Sequence, residues 1–500
     1  MIKKILIANR GEIAVRIIRG CRELGIPTVA VYSEVDRESL HVQVADEAIC
    51  IGPPAPLQSY LNIETIVNTA KATGADAIHP GYGFLAENHL FAQRCEEEDI
   101  TFIGPDSKAL KLVGDKVASR ETMIAAGVPI IPGMMHKGGG TDDFVEEAEK
   151  IGYPVLIKAS AGGGGKGMRV VGSENELQEA VEGGMREAKS AFGDASVYIE
   201  KYIEEPRHIE FQILADKHGQ AVHLFERECS IQRRHQKIIE ETPSPALDDN
   251  LRTKMGETAL KVVRASEYSN AGTVEFLLDR EGNFYFLEVN ARLQVEHPVT
   301  ELVTGIDLVH QQIRVASGDT LSLRQEDVTQ LGHAIECRIY AENPENNFMP
   351  SPGKILFLQE PSGPGVRHDC GIYSGWTVPV HYDPILSKLI VWGEDRDVAC
   401  KRMISALSEL TILGIRTTVG FLRDVIAHPE FAAGRTYTSF IERHMADWGE
   451  GQNGESLNVA LAAAAIASMK EASPSKSTNR FREAVVTPWH TVGKWEIASS

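Results

Sequence analysis

The 500-residue sequence predicts a mixed fold, α/β in its first third and α+β beyond it. Three observations predict this. Strand and helix patterns alternate at the start, closely spaced strands take over from about residue 131, and a third group of strands followed by helices begins past residue 330. A chain of this length exceeds what one hydrophobic core supports, so two or more domains are expected.

The first third reads "KILIAN", then "GEIAVRIIRGCREL" with apolar residues at helical spacing, then "PTVAVYS", and later "ADAIHPG" and "ITFIGP". Such alternation builds a parallel sheet covered by helices, a doubly wound domain. A Rossmann site would place G-x-G-x-x-G after the first strand, but "ANRGEIA" has one glycine, so a structural domain is expected there. From residue 131, "PVLIKAS", "MRVV", "VYIEKYI", "HIEFQILAD" and "AVHLFERE" read as strands, interrupted by one helix whose start pairs Ser173 with Glu176 as a capping box. Past residue 330, "AIECRIYAE", "KILFLQE" and "VPVHYDPILSKLIVW" read as further strands. After about residue 447, "GEGQNGES", "NVALAAAAIASMKEA" and "SPSKSTN" read as a linker, a short helix and a loosely constrained end.

Composition excludes several classes. Hydrophobic residues make up 43% and charged residues 24%, the balance of a water-soluble globular protein. A net charge of −19, from 70 acidic and 51 basic residues, argues against a nucleic-acid binder. The seven cysteines form no C-x-x-C pair, so neither a zinc site nor a disulfide framework is indicated, and a cytoplasmic location is expected. The opening "MIKKILIANRGEIAVRII" runs from a short strand into a charged turn, unlike a signal peptide, and no apolar run is long enough to span a bilayer.

The stretch "KASAGGGGKGMRVV" (158–171) matches G-x-G-x-x-G literally, and its Gly165-Lys166 pair resembles part of a P-loop. The P-loop match fails because Ser160 stands where its first glycine belongs and Gly167 follows the lysine. The dinucleotide match fails because a strand, "MRVV", follows where a helix N-terminus is required. Strand, glycine loop and strand remain. That is either a plain hairpin loop or a flap whose backbone N–H groups approach phosphates.

In "TVEFLLDREGNFYFLEVNARLQVEH", taking "REGN" (280–283) as a turn pairs Asp279 with Phe284 and sets Glu275 opposite Glu288. Facing like charges destabilise a sheet, and a cation between them removes the conflict. Asn290 lies on the same face and adds a neutral oxygen, so the set suits Mg²⁺ or Mn²⁺ better than zinc. The alternative is a solvated polar sheet face. Nearby, "RRHQK" gathers Arg233, Arg234, His235 and Lys237, which form either a salt-bridged surface or an anion site beside the metal.

These residues resemble biotin carboxylase, an ATP-grasp family. The similarity runs from residue 1 to about 447 through "ILIANRGEIAVRI", "HPGYGFLAEN", "KASAGGGGKGMR", "IEKYIEEPRHIEFQ", "ERECSIQRRHQKIIEE", "FLEVNARLQVEHPVTE", "ECRIYAENP" and "YDPILSKLIVW". The resemblance implies an N-terminal doubly wound α/β domain over 1–114 and an ATP-grasp domain over 115–330 with a lid at about 131–205. A C-terminal mixed α+β domain over 331–447 and a tail over 448–500 follow.

It also implies site residues. Lys116 and Lys158 match phosphate-contacting lysines, and Gly163, Gly164 and Gly165 fall in the flap. Glu200, Lys201 and Ile203 match the adenine hinge, His208 and Gln232 ribose-side contacts, and Leu277 an apolar wall. Glu275, Glu288 and Asn290 match the magnesium site, while Lys237, Arg292, Gln294, Val295 and Glu296 match the bicarbonate pocket. Tyr82 and Arg338 match positions near biotin. In the implied mechanism Glu296 deprotonates bicarbonate, carboxyphosphate forms on Lys237, Arg292 and the metal, and Arg338 stabilises the biotin enolate. Cys229 is read as a buried structural thiol.

The implied cofactors are ATP, Mg²⁺ or Mn²⁺, and bicarbonate, with biotin as a substrate on a separate carrier. Expected partners are a biotin carboxyl carrier protein and carboxyltransferase subunits, and the family implies a homodimer. The tail contains Met469-Lys470, but Glu471 replaces the second methionine of a biotinylation site, and "RFREAVVTPWHTVGKWE" reads as either a docking segment or a disordered extension. Acetyl-CoA carboxylase is the first expectation for the complete enzyme, followed by propionyl-CoA and pyruvate carboxylase. The rival readings are another ATP-grasp ligase and a catalytically dead scaffold.

Overall fold

Five parallel strands open the chain: β1 (Ile5–Ile7), β2 (Thr28–Ser33), β3 (Glu47–Gly52), β4 (Ala77–His79) and β5 (Thr101–Phe102), in the order β3-β2-β1-β4-β5. The computed structural model describes residues 2–134, 141–159, 168–192 and 195–449. Ile5 and Ile7 enter one core and Leu6 another, as a parallel sheet covered on both faces requires. The strand order reverses direction between β1 and β4, and the crevice at such a switch point is where this architecture presents binding residues. Tyr82 follows β4 there, its carbonyl accepting a 2.7 Å bond from the Asn9 side chain that follows β1.

A four-stranded sheet comes next, built from β6 (Gly133–Met134), β7 (Val155–Ala159), β8 (Arg169–Val171) and β9 (Val197–Lys201) in the order β6-β9-β7-β8. β7 and β8 are antiparallel, so strands do flank the glycine stretch. Gly163, Gly164 and Gly165 themselves lie outside the described residues, as does the tail from 450 onward. Among the described residues two helices, not one, interrupt this region. Thr141–Ile151 was not expected, although Phe144, Ala148 and Ile151 mark a helical stripe, with Phe144 and Ala148 entering the local core. At the second helix, Glu174–Phe192, Ser173 and Glu176 pair as expected but in altered form: Glu176 accepts from the Ser173 hydroxyl at 3.3 Å and from the Gly172 N–H at 3.1 Å.

The body of the protein is an eight-stranded sheet. It comprises β10 (Arg207–Ala215), β11 (Ala221–Arg233), β12 (Gln236–Thr242), β13 (Asn270–Leu278), β14 (Phe284–Asn290), β15 (His333–Tyr340), β16 (Val366–Cys370) and β17 (Ile385–Gly393). The order is β14-β13-β10-β11-β12-β15-β17-β16, so one sheet runs across residue 330. Its neighbours also merge: Phe211 and Phe276 share a core with Leu6 and Phe91 of the N-terminal layers, while Ile231 and Ile239 share one with Leu389 and Phe421.

A buried lock holds β12 against β15. Glu241 accepts from His333 at 2.8 Å and from Arg396 at 2.6 and 3.0 Å. Burial alone would raise its pKa, but His333 and Arg396 outweigh burial and bring it from 4.5 to about 2. Because the folded value lies below the unfolded one, this stabilisation is complete above about pH 4.5 and is lost as pH falls toward 2. It is worth on the order of 3 kcal/mol. Glu241→Gln is expected to lower stability at pH 7 and to flatten its decline between pH 5 and 3, measured by urea unfolding at each pH.

Candidate active site

The site grows from one rung of the large sheet. In register across four strands stand Arg227 on β11, Glu210 on β10, Glu275 on β13 and Glu288 on β14. The hairpin is set differently at its turn than expected: Leu278, not Asp279, pairs with Phe284, because Asp279 Oδ1 instead accepts the turn N–H groups of Glu281 and Asn283. A bulge beside Glu275 then inserts one residue in β14 and restores the Glu275–Glu288 pairing. Two residues along, Gln212, Thr273 and Asn290 form a parallel rung, which puts Asn290 on the face of Glu288.

Three carboxylates in one rung need cations. The fully buried Arg227 donates to Glu210 at 2.6 Å. Lys237 reaches in from β12, with Nζ 2.5 Å from Glu210, 2.7 Å from Glu275 and 2.9 Å from Glu296. Burial by itself would lower the Lys237 pKa, but Glu210, Glu275 and Glu296 together hold it well above its ordinary value. Glu275 also lies 3.0 Å from His208 Nε2 and accepts from Gln294 at 3.2 Å. Its burial is outweighed by Lys237 and His208, which keep the carboxyl well below the usual range.

Glu288 is the solvent-facing end of the rung, yet it lies deep enough in the site for desolvation, and then the Glu275 charge, to raise its pKa. Its charge is therefore poorly compensated by the protein. A divalent ion at Glu275, Glu288 and Asn290 relieves that, and an all-oxygen donor set fits magnesium. Lys116, the first residue of the helix Lys116–Ala125, acts on Glu288 in the same sense, lowering its pKa.

Glu296 joins the other half of the site. It is fully buried and accepts from Lys237 through Oε1 and from Arg338 Nη2 through Oε2, at 2.9 Å in each case. Burial opposes its charge, but Lys237, Arg338 and Arg227 prevail and hold it ionised, well below the carboxylate range. Arg338 is fixed on its second edge by Glu240, with Nε to Oε1 at 2.6 Å. Arg292 donates to Asn290 Oδ1 at 3.0 Å and to Glu87 at 3.1 Å, while Glu87 also accepts the Ala291 N–H at 3.0 Å. The Val295 carbonyl accepts from Lys388 at 2.8 Å. Cys229 Sγ lies 4.0 Å from Glu296, and burial pushes its thiol well above the ordinary pKa, which disqualifies it as a base.

The remaining expected residues are placed as follows. Lys158 and Glu200 pair with each other across β7 and β9. Lys201 donates to the Gly152 and Tyr153 carbonyls, bracing the turn before β7, and Ile203 is buried. Gln232 lies 3.0 Å from His208 Nδ1 and donates to the Cys229 carbonyl, while Leu277 stands opposite His208 in the sheet. The Tyr82 hydroxyl donates to Glu12. The "RRHQK" cluster splits: Lys237 enters the site, whereas Arg233 pairs with Glu342 and Arg234 with Asn347. Sequence reading missed Glu210, Glu87, Glu240 and Arg227. Only Glu210 carried a local signal, the alternation of His208, Glu210 and Gln212 on one strand face.

The geometry gathers oxygen donors for a hard cation, a buried cation among carboxylates and an ionised glutamate between Lys237 and an arginine. Comparison with known proteins is consistent with it. Residues 1–110 match the family model for the biotin carboxylase N-terminal domain, 115–324 that for the carbamoyl-phosphate synthase L chain ATP-binding domain, and 336–443 that for the biotin carboxylase C-terminal domain. Biotin carboxylase 1 of Bacillus subtilis is 57% identical over 445 residues, which is 89% of this chain and 99% of that protein. The mitochondrial methylcrotonoyl-CoA carboxylase subunit alpha of Dictyostelium discoideum is 49% identical over 497 residues, 99% of this chain and 70% of that protein. The solved biotin carboxylase domain dimer of Hydrogenobacter thermophilus 2-oxoglutarate carboxylase, in complex with MgADP, ADP and bicarbonate, superposes with a TM-score of 0.83 at 49% identity, covering 89% of this chain and 98% of that one. Three consecutive family models and relatives of this identity place the chain in the biotin carboxylase family of ATP-dependent ligases.

Proposed function

We propose that this chain carries out the first half-reaction of a multisubunit biotin-dependent carboxylase, the ATP- and bicarbonate-dependent carboxylation of biotin on a separate carrier protein. The observation that carries this reading is Glu296, one buried carboxylate shared at 2.9 Å by Lys237 and by Arg338. Its first cation belongs to bicarbonate activation and its second to biotin activation, so one residue serves both steps.

Held ionised, Glu296 is ready to take the bicarbonate proton. Lys237 and Arg292 make that transfer possible by stabilising the carbonate dianion more than they stabilise the Glu296 carboxylate. A carbonate oxygen then attacks the γ-phosphorus of ATP, ADP leaves, and carboxyphosphate remains among the same cations. When bound at Glu275, Glu288 and Asn290, magnesium neutralises phosphate charge. Lys116 and Lys158 hold the phosphates, Glu200, Lys201, Ile203 and Leu277 surround the base, and His208 and Gln232 face the ribose. Carboxyphosphate releases CO₂ and its phosphate takes the N1 proton of biotin. Arg338, aimed by Glu240 and Glu296, stabilises the enolate that captures CO₂, with Tyr82 bordering the ring.

The reading extends to a cytoplasmic homodimer with N-terminal, ATP-grasp, C-terminal and tail regions divided near 114, 330 and 447. For the complete enzyme, acetyl-CoA carboxylase is the first reading, with propionyl-CoA and pyruvate carboxylase as alternatives. A second reading, an acyl-CoA carboxylase of the methylcrotonoyl-CoA type, is favoured by the Dictyostelium match, which extends over 99% of the chain and so through the tail. The decisive assay is ATP cleavage by the purified chain with bicarbonate and magnesium. Free biotin is expected to raise turnover and to yield carboxybiotin, and absence of both refutes the half-reaction. Mass spectrometry of co-purified subunits separates the acceptor readings.

A further inference from the structure

We propose that Lys388 is a positioning residue for the Gln294–Val295–Glu296 turn, and that Glu12, shared between Lys388 and Tyr82, ties that turn to the biotin side of the site. The inference rests on the half-reaction proposed above.

Lys388 lies on β17, in register with Arg338 on β15 and with Asp369 on β16, so one rung carries Asp369, Lys388 and Arg338 side by side. Its side chain is fully buried. An ammonium in such a place costs several kcal/mol of desolvation, and an apolar residue would pack there without that cost. Its partners show what the charge does. Nζ donates to the Val295 carbonyl at 2.8 Å, and it stands 3.5 Å from Glu12 Oε2 and 3.9 Å from Asp369 Oδ2. Asp369 is itself bound by Arg367 at 2.8 Å, so of the two carboxylates paired with Lys388 Glu12 is the more open, while the buried Glu336, two residues before Arg338 on β15, also feels the Lys388 charge.

Glu12 sits in the first turn of the helix Gly11–Glu23, in the N-terminal layers. Its Oε1 accepts the Tyr82 hydroxyl, and its Oε2, facing Lys388, has no hydrogen-bond partner. The helix start packs closely against the end of β16, beside β17, because residue 371 is glycine: a Cβ there would lie 2.6 Å from the Glu12 nitrogen. A continuous path therefore runs from the Tyr82 hydroxyl through Glu12 and Lys388 to the Val295 carbonyl, and Glu296 is the next residue. Lys388 touches neither reacting group in this arrangement. It acts by fixing the turn from which Glu296 projects between Lys237 and Arg338. Any contact that draws the Tyr82 hydroxyl from Glu12 strengthens the pull of Glu12 on Lys388 and loosens its hold on Val295.

The test uses the full chain in the bicarbonate-dependent ATPase assay. Lys388→Met removes a charge-assisted hydrogen bond to the turn and is expected to raise the bicarbonate KM by about tenfold, while the ATP KM changes by less than about twofold. General loosening of the fold would lower kcat through the folded fraction and leave that KM in place. Burial raises the Glu12 carboxyl from 4.5 to about 7 even beside Lys388, so Lys388→Met is expected to leave it protonated; the paired variant E12Q/K388M, which fixes that neutral state, is measured beside it, with thermal unfolding to establish that it is folded. A folded paired variant whose bicarbonate KM stays within about twofold of the parent overturns the positioning role. For the link to Tyr82, Tyr82→Phe and Lys388→Met are combined: a joint change in bicarbonate KM smaller than the product of the single changes is expected, and a multiplicative one overturns the link. The unaltered chain separates the two levels of failure. If it shows no biotin-stimulated turnover, the half-reaction itself is wrong; if it does and the variants leave the bicarbonate KM unchanged, only this inference falls.

Discussion

Lys237→Gln is expected to abolish bicarbonate-dependent ATP cleavage, lowering kcat by at least about 10²–10³-fold, the scale of losing one preorganised electrostatic group. The structure makes the reason concrete. Lys237 is the common cation of Glu210, Glu275 and Glu296, all within 2.9 Å of its Nζ. A neutral amide keeps some of the hydrogen bonds and none of the charge, so it supplies nothing to a carbonate dianion. The same change leaves buried carboxylates short of a cation, which costs about 3–5 kcal/mol when a buried pair is broken. Arg227 still neutralises Glu210, so a folded but less stable protein is expected, with a lower Tm and normal far-UV circular dichroism. Steady-state kinetics with and without bicarbonate check the first effect. Near-normal bicarbonate-dependent turnover in a folded variant removes Lys237 from the chemistry.

Glu288→Lys is expected to abolish the magnesium-dependent reaction. Glu288 faces Glu275 across the hairpin, and desolvation and the Glu275 charge raise its pKa, so the wild-type rung is short of positive charge at this end. A lysine supplies that charge permanently, pairs with Glu275 and occupies the place of the ion. Lys116 and Lys237 already bear on the same carboxylates, so the variant also turns a cation site into a repulsive one. Titration of ATPase activity against Mg²⁺ and Mn²⁺ is the measurement. A shift of the half-saturating metal concentration by about a hundredfold, or complete loss, is the expected result for one anionic ligand exchanged for a cation. An unchanged metal requirement contradicts the assignment of the rung.

Much of this site was legible in the sequence because the informative elements are local. A hairpin with a short turn fixes which residues face each other, and the pairing of Glu275 with Glu288 follows from it. Even there the local argument needed correction: the Asp279 side chain shifts the turn by one residue, and the bulge beside Glu275 shifts it back. The strands on both sides of "KASAGGGGKGMRVV" were equally local, read from the short runs "PVLIKAS" and "MRVV". The helix Thr141–Ile151 was missed because its apolar stripe spans only three turns.

What the sequence alone determined is the succession of a parallel α/β domain and antiparallel strands, the glutamate pair on one sheet face, and the family, because each rests on short-range periodicity or contiguous motifs. Only the tertiary structure decided that Glu210 lies between Arg227 and Glu275, that Glu240 fixes one edge of Arg338, that Glu87 from the N-terminal layers holds Arg292, and that Glu12 meets Lys388. Those contacts join strands and helices far apart in the chain. No periodicity encodes the order in which strands are laid beside one another. That order follows from burying the faces of two sheets and their helices in shared cores, and it is this packing that brings four isolated carboxylates to a single lysine and two arginines.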